Sequence, residues 1–172
     1  MIFRTKRLEV RSFNLQDEAL FFDMMGNENV RNPIPKKTLN AIESKEKLIS
    51  FIRSEIEEEN KVWAVVMAEN KELIGLAGFV NNNKDGMANE LAYMFRESAW
   101  GKGFGAEIAE GLVNHGFQVL GFEEIRADVS IKNIGSVKIL DKFLNREKQV
   151  YNSEDKCWDM KYKISRNIWE TN

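Results

Sequence analysis

A mixed α/β or α+β fold is predicted for this chain, and three observations predict it. Three apolar runs, VWAVVMA, LIGLAGFV and MANELAYMF, follow one another across short polar breaks, the pattern of a hairpin-linked antiparallel meander. A glycine-rich segment then leads into a long amphipathic helix and a further strand, EEIRADVS, so one βαβ crossover follows the meander. Length sets the scale: 172 residues correspond to about one domain. Apolar periodicity runs from Leu8 to Trp169 with only short breaks and no linker, so a single domain over 1–172 is expected.

The elements follow in chain order. Residues 7–13 alternate Leu8, Val10 and Phe13 among Arg and Glu, a half-exposed strand. A helix follows Asn14, a residue type that caps helix starts. The only prolines, Pro33 and Pro35, sit in RNPIPKKT, which must be extended or turning and separates two N-terminal helices. The second helix covers 44–58, where Leu48, Ile49, Ile52 and Ile56 recur at helical spacing. Runs at 62–68 and 73–80 flank the polar ENKE and form a hairpin, and NNNKDG makes the next turn. The third strand, 87–95, puts Glu90, Ala92 and Met94 on one face and Leu91, Tyr93 and Phe95 on the other. After RESAWGKG, a helix of about 16 residues presents Ile108, Leu112, Val113, Gly116, Phe117 and Leu120 as an apolar stripe. EEIRADVS is a strand and NIGSVKILDKF a short helix, and the tail from Asn145 gives two alternating strands around NSED.

Composition excludes several function classes. Lys plus Arg number 25 against 27 Asp plus Glu, a net charge of -2, so no global positive field gathers nucleic acid. One cysteine, Cys157, and one histidine, His115, exclude a disulfide framework and a His/Cys metal cluster. The start, MIFRTKRLEVRSFN, has no apolar core of a leader, and no stretch approaches about 18 apolar residues. The expectation is a cytoplasmic protein with neither nucleic acid nor membrane as partner. His115 is expected to be packed or exposed on the long helix and not catalytic, and Cys157 has no nearby histidine that would make it a nucleophile.

The most informative segment is Trp100 to Glu107, WGKGFGAE, between a strand and the long helix. Glycine permits unusual φ and lets a ligand approach the backbone. Helix-start amides are unpaired and the macrodipole adds positive potential, so such a loop can hold a pyrophosphate without a basic protein. A tight strand-to-helix turn would use the same glycines for geometry alone. A dinucleotide fold is a third alternative, because Gly101, Gly103 and Ala106 satisfy Gly-x-Gly-x-x-Ala and Asp128 ends the next strand. Against it, the residues RESAW intervene where that fingerprint turns at once, and the preceding strands are hairpin-linked. A phosphate-loop NTPase is excluded, since no Gly-Lys-Ser/Thr ends the run.

Taken together, NELAYMF, WGKGFGAE, the long helix, the next strand and NIGSVKILDKF resemble the GNAT superfamily of N-acetyltransferases. The loop is similar to that of its ribosomal-protein-type branch, Trp-Gly-Lys/Gln-Gly-aromatic-small. The opening RTKRLEVRSFNLQD and the run LIGLAGF also resemble that branch, so the likeness covers nearly the whole chain. The resemblance implies a mostly antiparallel central sheet, splayed at the cofactor strand and flanked by helices. It implies acetyl-CoA as co-substrate, with its pyrophosphate on the amides of Gly101, Lys102, Gly103, Phe104, Gly105 and Ala106. The Trp and Phe residues mostly serve the core, with Trp63 and Trp100 either there or bordering the cleft. The pantetheine arm would pair with the strand backbone at Met94 and Phe95, where an amide acts as oxyanion donor. Asn133 and Ser136 match the family's Asn-x-x-Ser/Ala pattern, Asn133 on the pantetheine side. Lys138 and Lys142 either reach the adenosine phosphates or are solvated helix faces.

Direct transfer of acetyl to a primary amine, in a ternary complex without a covalent enzyme intermediate, needs a neutral nucleophile, an oxyanion donor and protonation of the thiolate. Glu90 is the candidate base, or the residue that orders a water in that role; the resembling branch often carries glutamate there. The acid in many relatives is a tyrosine seven residues after the motif asparagine, where this chain has Leu140. Ser136 is the remaining candidate, directly or through water, unless the thiolate leaves unprotonated. That missing tyrosine also keeps open a non-catalytic acyl-CoA-binding module on the same scaffold. The acceptor would be a protein N-terminus or a small-molecule amine. The acidic run Glu55, Glu57, Glu58 and Glu59 is a solvated face or a feature favouring a cationic acceptor. The resemblance also makes a homodimer through the terminal strand pair an expectation.

Overall fold

The structure, a computed structural model, describes residues 1–56, 61–80 and 89–171. Alternating patterns build one sheet from β1 (Phe3–Arg4), β2 (Leu8–Arg11), β3 (Lys61–Met67), β4 (Leu73–Val80), β5 (Glu90–Phe95), β6 (Glu124–Ser130), β7 (Asn145–Asn152) and β8 (Cys157–Ser165). The spatial order is β1-β2-β3-β4-β5-β6-β8-β7. Every neighbouring pair is antiparallel except β5 and β6, which are parallel and share the single register pair Glu90↔Arg126. Beyond that pair the two strands part, so the expected splayed, mostly antiparallel sheet is present.

Helices cover both faces. α1 (Glu18–Met25), α2 (Glu28–Arg31) and α3 (Ala41–Ile56) precede β3; α4 (Phe104–Gln118) crosses from β5 to β6; α5 (Ile134–Leu140) follows β6, and α6 (Arg166–Glu170) follows β8. Phe104, Ile108, Leu112 and Phe117 of α4 pack with Trp63, Val65, Leu91 and Phe95 in one core. Phe21, Met24 and Leu48 pack with Val62, Ala64, Val66 and Met94 in the other. A strand buried on both faces needs apolar residues at every position. That is why VWAVVMA reads as an unbroken run. The two predicted faces of β5 are thus divided between two cores, Leu91 and Phe95 on the α4 side and Met94 on the α1 side.

Several elements differ from expectation for local reasons. α3 starts at Ala41 because Asn40 and Glu43 cap each other: the Glu43 amide donates to Asn40 Oδ1 at 3.0 Å and the Asn40 amide to Glu43 Oε2 at 2.9 Å. The hydrogen bond from the Asn40 backbone, with help from Lys37, holds the Glu43 carboxyl below the usual range. Asn14 does cap a helical turn, in the same reciprocal way with Asp17, but β2 ends at Arg11. β1 and α2 are too short to show as periodicity. Trp169 belongs to α6 instead of a strand, stacked on Phe117 at 5.1 Å with its indole donating to Asn114. The NNNKDG turn, residues 87–88, Glu57, Glu58, Glu59 and the side chain of Glu55 lie outside the described residues.

One contact sets the β3–β4 spacing. A Cβ at Gly78 would lie 1.9 Å from the Lys61 carbonyl oxygen and 2.7 Å from Val62 Cα, both backbone atoms. Gly78→Ala is therefore expected to lower stability by about 1–3 kcal/mol or more, read as a fall in the urea midpoint. His115 is packed, stacked on Phe3 at 4.9 Å and edge-on to Trp63 at 5.7 Å. Burial, with Lys61 nearby, pushes its imidazole below the ordinary value of 6.5. The unfolded chain then takes the proton first, so stability is full above that value and falls as pH drops through the folded pKa. Thermal unfolding should show this acid-side loss, and His115→Phe should remove it.

Candidate active site

The parting of β5 from β6 exposes backbone that an ordinary sheet would pair. In an antiparallel ladder, opposed residues alternate between hydrogen-bonded and non-bonded pairs. Arg96 N donates to Ile74 O at 2.8 Å, so the register makes Leu76↔Met94, Gly78↔Ala92 and Val80↔Glu90 the bonded pairs. The backbone groups of Asn89, Leu91, Tyr93 and Phe95 therefore turn toward β6. Asn89 O is used there, accepting from Arg126 N at 3.1 Å. Past this register pair the groups of Tyr93 and Phe95 face the opening. Of the two residues expected to present a backbone donor, Phe95 has its amide in the gap, whereas parity turns Met94's toward β4. The Phe95 carbonyl accepts from Trp100 Nε1 at 3.1 Å, which ties the loop's first residue to the strand.

The glycine loop closes one end of this gap. Gly101 and Gly103 have φ of 74° and 80°, the left-handed region that glycine enters without strain, and Gly103 caps the start of α4. The loop is held from behind by the N-terminal segment. Arg7 donates from Nη1 to Lys102 O at 2.9 Å and from Nε to Glu107 Oε2 at 2.7 Å, and its guanidinium lies 4.6 Å over the Phe104 ring. Glu107 Oε1 also accepts from the Thr5 hydroxyl at 2.6 Å and the Arg7 amide at 2.7 Å. Burial pushes the Glu107 carboxyl up, but these donors outweigh it and hold the carboxyl below its usual range.

Two cavities meet at the gap. One, of about 860 Å³, is lined by the loop, by Met94 and Phe95, and by α5 with its approach. Among the described residues its charged lining is Lys132, Lys138 and Lys142, with no carboxylate. The other, of about 610 Å³, is lined by Glu90, Asp128, Glu154, Asp155 and Asp159 against Lys36 and Lys161. Lys161 pairs with Asp128, and Lys36 reaches both oxygens of Asp155 at 2.9 Å, tying the proline segment to the β7–β8 turn. Asp159 is buried and accepts from Asn152 at 3.0 Å. Among the described residues, only Pro33, Ile34, Tyr93, Asn133 and Ser136 line both cavities. A chain of nearly balanced charge has thus separated it locally, basic beside the glycine loop and acidic across the strand.

The family model of the acetyltransferase (GNAT) domain matches residues 7–143. The chain belongs to this family of acetyltransferases. A curated relative from Bacillus subtilis strain 168, the uncharacterized N-acetyltransferase YoaA, is 28% identical over 140 residues, 81% of this chain and 79% of its own. Among solved structures, a GNAT-family acetyltransferase from Bacillus anthracis superposes with a TM-score of 0.82 at 17% identity, over 95% of this chain and 98% of that one. A spermidine N-acetyltransferase from Vibrio cholerae, in complex with CoA and spermine, gives 0.76 at 16% identity, over 93% and 96%. The dinucleotide alternative meets a different sheet, since the strands before the glycine loop are antiparallel neighbours.

In this acetyltransferase, most of the residues singled out from sequence converge. Met94, Phe95, Trp100, Gly101, Gly103, Phe104, Gly105, Ala106, Asn133, Ser136, Lys138 and Lys142 share the basic cavity, and Glu90 and Ser136 share the acidic one. Lys102 is in the loop but turns its carbonyl back to Arg7. Asn133 Oδ1 caps α5, accepting from Ser136 N at 3.2 Å. Trp63 is buried in the core beside His115, away from both cavities. Cys157 is buried, its thiol donating to Asp159 at 3.4 Å, and burial pushes its pKa up. Arg7 and Tyr93 were not singled out. Arg7 meets its partners across about a hundred residues, a distance no local pattern encodes, and Tyr93 reads as one more apolar alternation. Arg7→Ala should free the loop, with faster amide exchange over 101–107 and about tenfold weaker CoA binding. Arg7→Lys should restore little of either, lacking the planar fork.

Proposed function

We propose that this acetyltransferase moves the acetyl group of acetyl-CoA directly to a primary amine of a protein N-terminus or a small molecule, within a ternary complex. One observation carries the reading. A basic cavity with a glycine-lined helix start and an acidic cavity meet beside unpaired strand amides. An anionic cofactor suits the first and a cationic amine the second. The fold is one that in the spermidine enzyme holds CoA and spermine.

The roles follow from position. Amides of Gly101 to Ala106 would take the pyrophosphate at the α4 start, where unpaired donors and the dipole converge. Trp100 would flank it, and Lys138 and Lys142, with Lys132, would meet the remaining phosphates. The pantetheine arm would extend β5 as an added strand in the gap, with Asn133 alongside. The Phe95 N–H, turned into that gap, would polarise the thioester carbonyl and hold the oxyanion. Met94 would contribute its side chain to the wall.

Glu90 is buried and lines the acceptor cavity. It, or a water it orders, would take the proton from the attacking nitrogen. Ser136 stands at the junction as a hydroxyl within reach of the leaving thiolate. The ribosomal-protein-type branch fits the Trp-Gly-Lys-Gly-Phe-Gly loop, and a cytoplasmic setting and a homodimer through β7 and β8 belong to the same proposal. Tyr151 and Trp158, both about half exposed, form an edge-on pair on those strands.

Calorimetric titration tests the cofactor site: acetyl-CoA and CoA should bind and NAD should give no heat, whereas NAD binding or silence would overturn the reading. Gly103→Asp should abolish binding in a folded chain, through left-handed strain at φ 80° and a carboxylate that meets Arg7, 3.5 Å from the new Cβ, and pulls it from its brace on the loop. Glu90→Gln should lower kcat by about 10²-fold or more with little change in acetyl-CoA affinity; an unchanged kcat would remove Glu90 from the mechanism.

A further inference from the structure

In the acetyl transfer proposed above, a side chain that protonates the departing sulfur would stand where the two cavities meet. Pro33 and Ile34 have no side-chain proton to give. Asn133 carries a carboxamide, which is not an acid in water, and its oxygen is committed to the α5 cap. Ser136 and Tyr93 remain. The Tyr93 hydroxyl is buried with no partner at hydrogen-bond distance among the described residues, although its ring sits beside Gly105 at the loop's edge and the Ser136 hydroxyl is near enough to lower its pKa. An unpaired buried hydroxyl is costly and calls for an explanation. One turn along α5 from Ser136, Leu140 offers it no polar partner.

We propose that the Tyr93 hydroxyl is the acid that protonates the CoA thiolate, taking from β5 the role that the resembling family gives to the helix position held here by Leu140. This rests on the acetyl-transfer function proposed above. Burial pushes the phenol up to about 12, with the Ser136 hydroxyl opposing the shift, so Tyr93 keeps its proton throughout the working pH range. A thiolate formed in the same desolvated space has its own proton affinity raised by the same physics, which brings donor and acceptor closer together.

The step balances. As the tetrahedral intermediate collapses, the C–S bond breaks, sulfur keeps the electron pair and takes the phenol proton. The phenolate regains a proton from solvent through the Ser136 hydroxyl. The amine's proton leaves separately on the Glu90 side, because residues 90 and 93 present their side chains on opposite faces of the strand.

The test reads the proton affinity of the bound thiol and needs no acceptor. CoA is bound to the full chain and its thiolate absorbance is titrated, referenced to the complex with desulfo-CoA so that the protein's tyrosines cancel. A hydrogen bond to a charged sulfur should make the thiol's proton affinity about tenfold higher in Tyr93→Phe than in the native chain. Leu140→Tyr added to Tyr93→Phe should restore the native titration, which a merely structural role for Tyr93 would not predict. If Tyr93→Phe fails to fold or to bind CoA, site-specific Tyr93→3-fluorotyrosine, a stronger donor of the same shape, should lower the thiol's proton affinity below native. Identical titrations in the native chain and in whichever variant binds CoA would overturn the proposal while leaving the acetyl-transfer function standing. Failure of the native chain to bind CoA would overturn both.

Discussion

The site depends on the parting of two parallel strands after one register pair, Glu90↔Arg126. Sheet strands normally exchange every backbone donor and acceptor, and unpaired groups away from water carry a large cost. Here the groups of Tyr93 and Phe95 face a gap, and among the described residues only the Phe95 carbonyl has a side-chain partner, Trp100. A ligand with an extended, amide-bearing arm meets those groups as a strand would. The cavities, the loop and the polarity of the surrounding charges are arranged along that opening.

Keeping the gap open requires rigid walls. On one side β4 and β5 are locked by six register pairs, and Arg96 at the end of β5 is clamped to Asp23 at 2.7 Å and Glu72 at 2.6 Å. On the other, β6 is laddered to β8 over its whole length. The glycine loop would be the loose part. Arg7 and Glu107 prevent that by bracing it against the N-terminal segment, so that loop amides are oriented before any ligand arrives. Orientation fixed in advance reduces the ordering that binding would otherwise require. The same economy explains the charge pattern, since lysines of α5 and its approach and carboxylates of β6 and β8 are held apart by the strand itself.

Much of this was legible in one sequence because it is local. Period-two alternation reported β3, β4 and β5, helical periodicity reported α4, and a glycine cluster at a strand-to-helix junction marked the loop. The resemblance of the whole string of motifs then pointed to the family that the family match showed. The Asn40–Glu43 cap could have been read from its spacing, and the helix start was placed three residues late for want of it.

What the sequence determined by itself is the identity and order of the longer elements, the loop with its glycines, and the family, all of which rest on residues within a few positions of one another. Tertiary structure alone decided which backbone amides of β5 face the gap, because ladder parity depends on the partner strand's register. It alone brought Arg7 to Lys102 and Glu107, and gathered Asp128, Asp155 and Asp159 around Glu90. It also turned Tyr93 from an apolar alternation into an unpartnered hydroxyl between two cavities. The reason is physical: burial, pairing and pKa are set by neighbours in space, and those neighbours are supplied by strands and helices far apart along the chain.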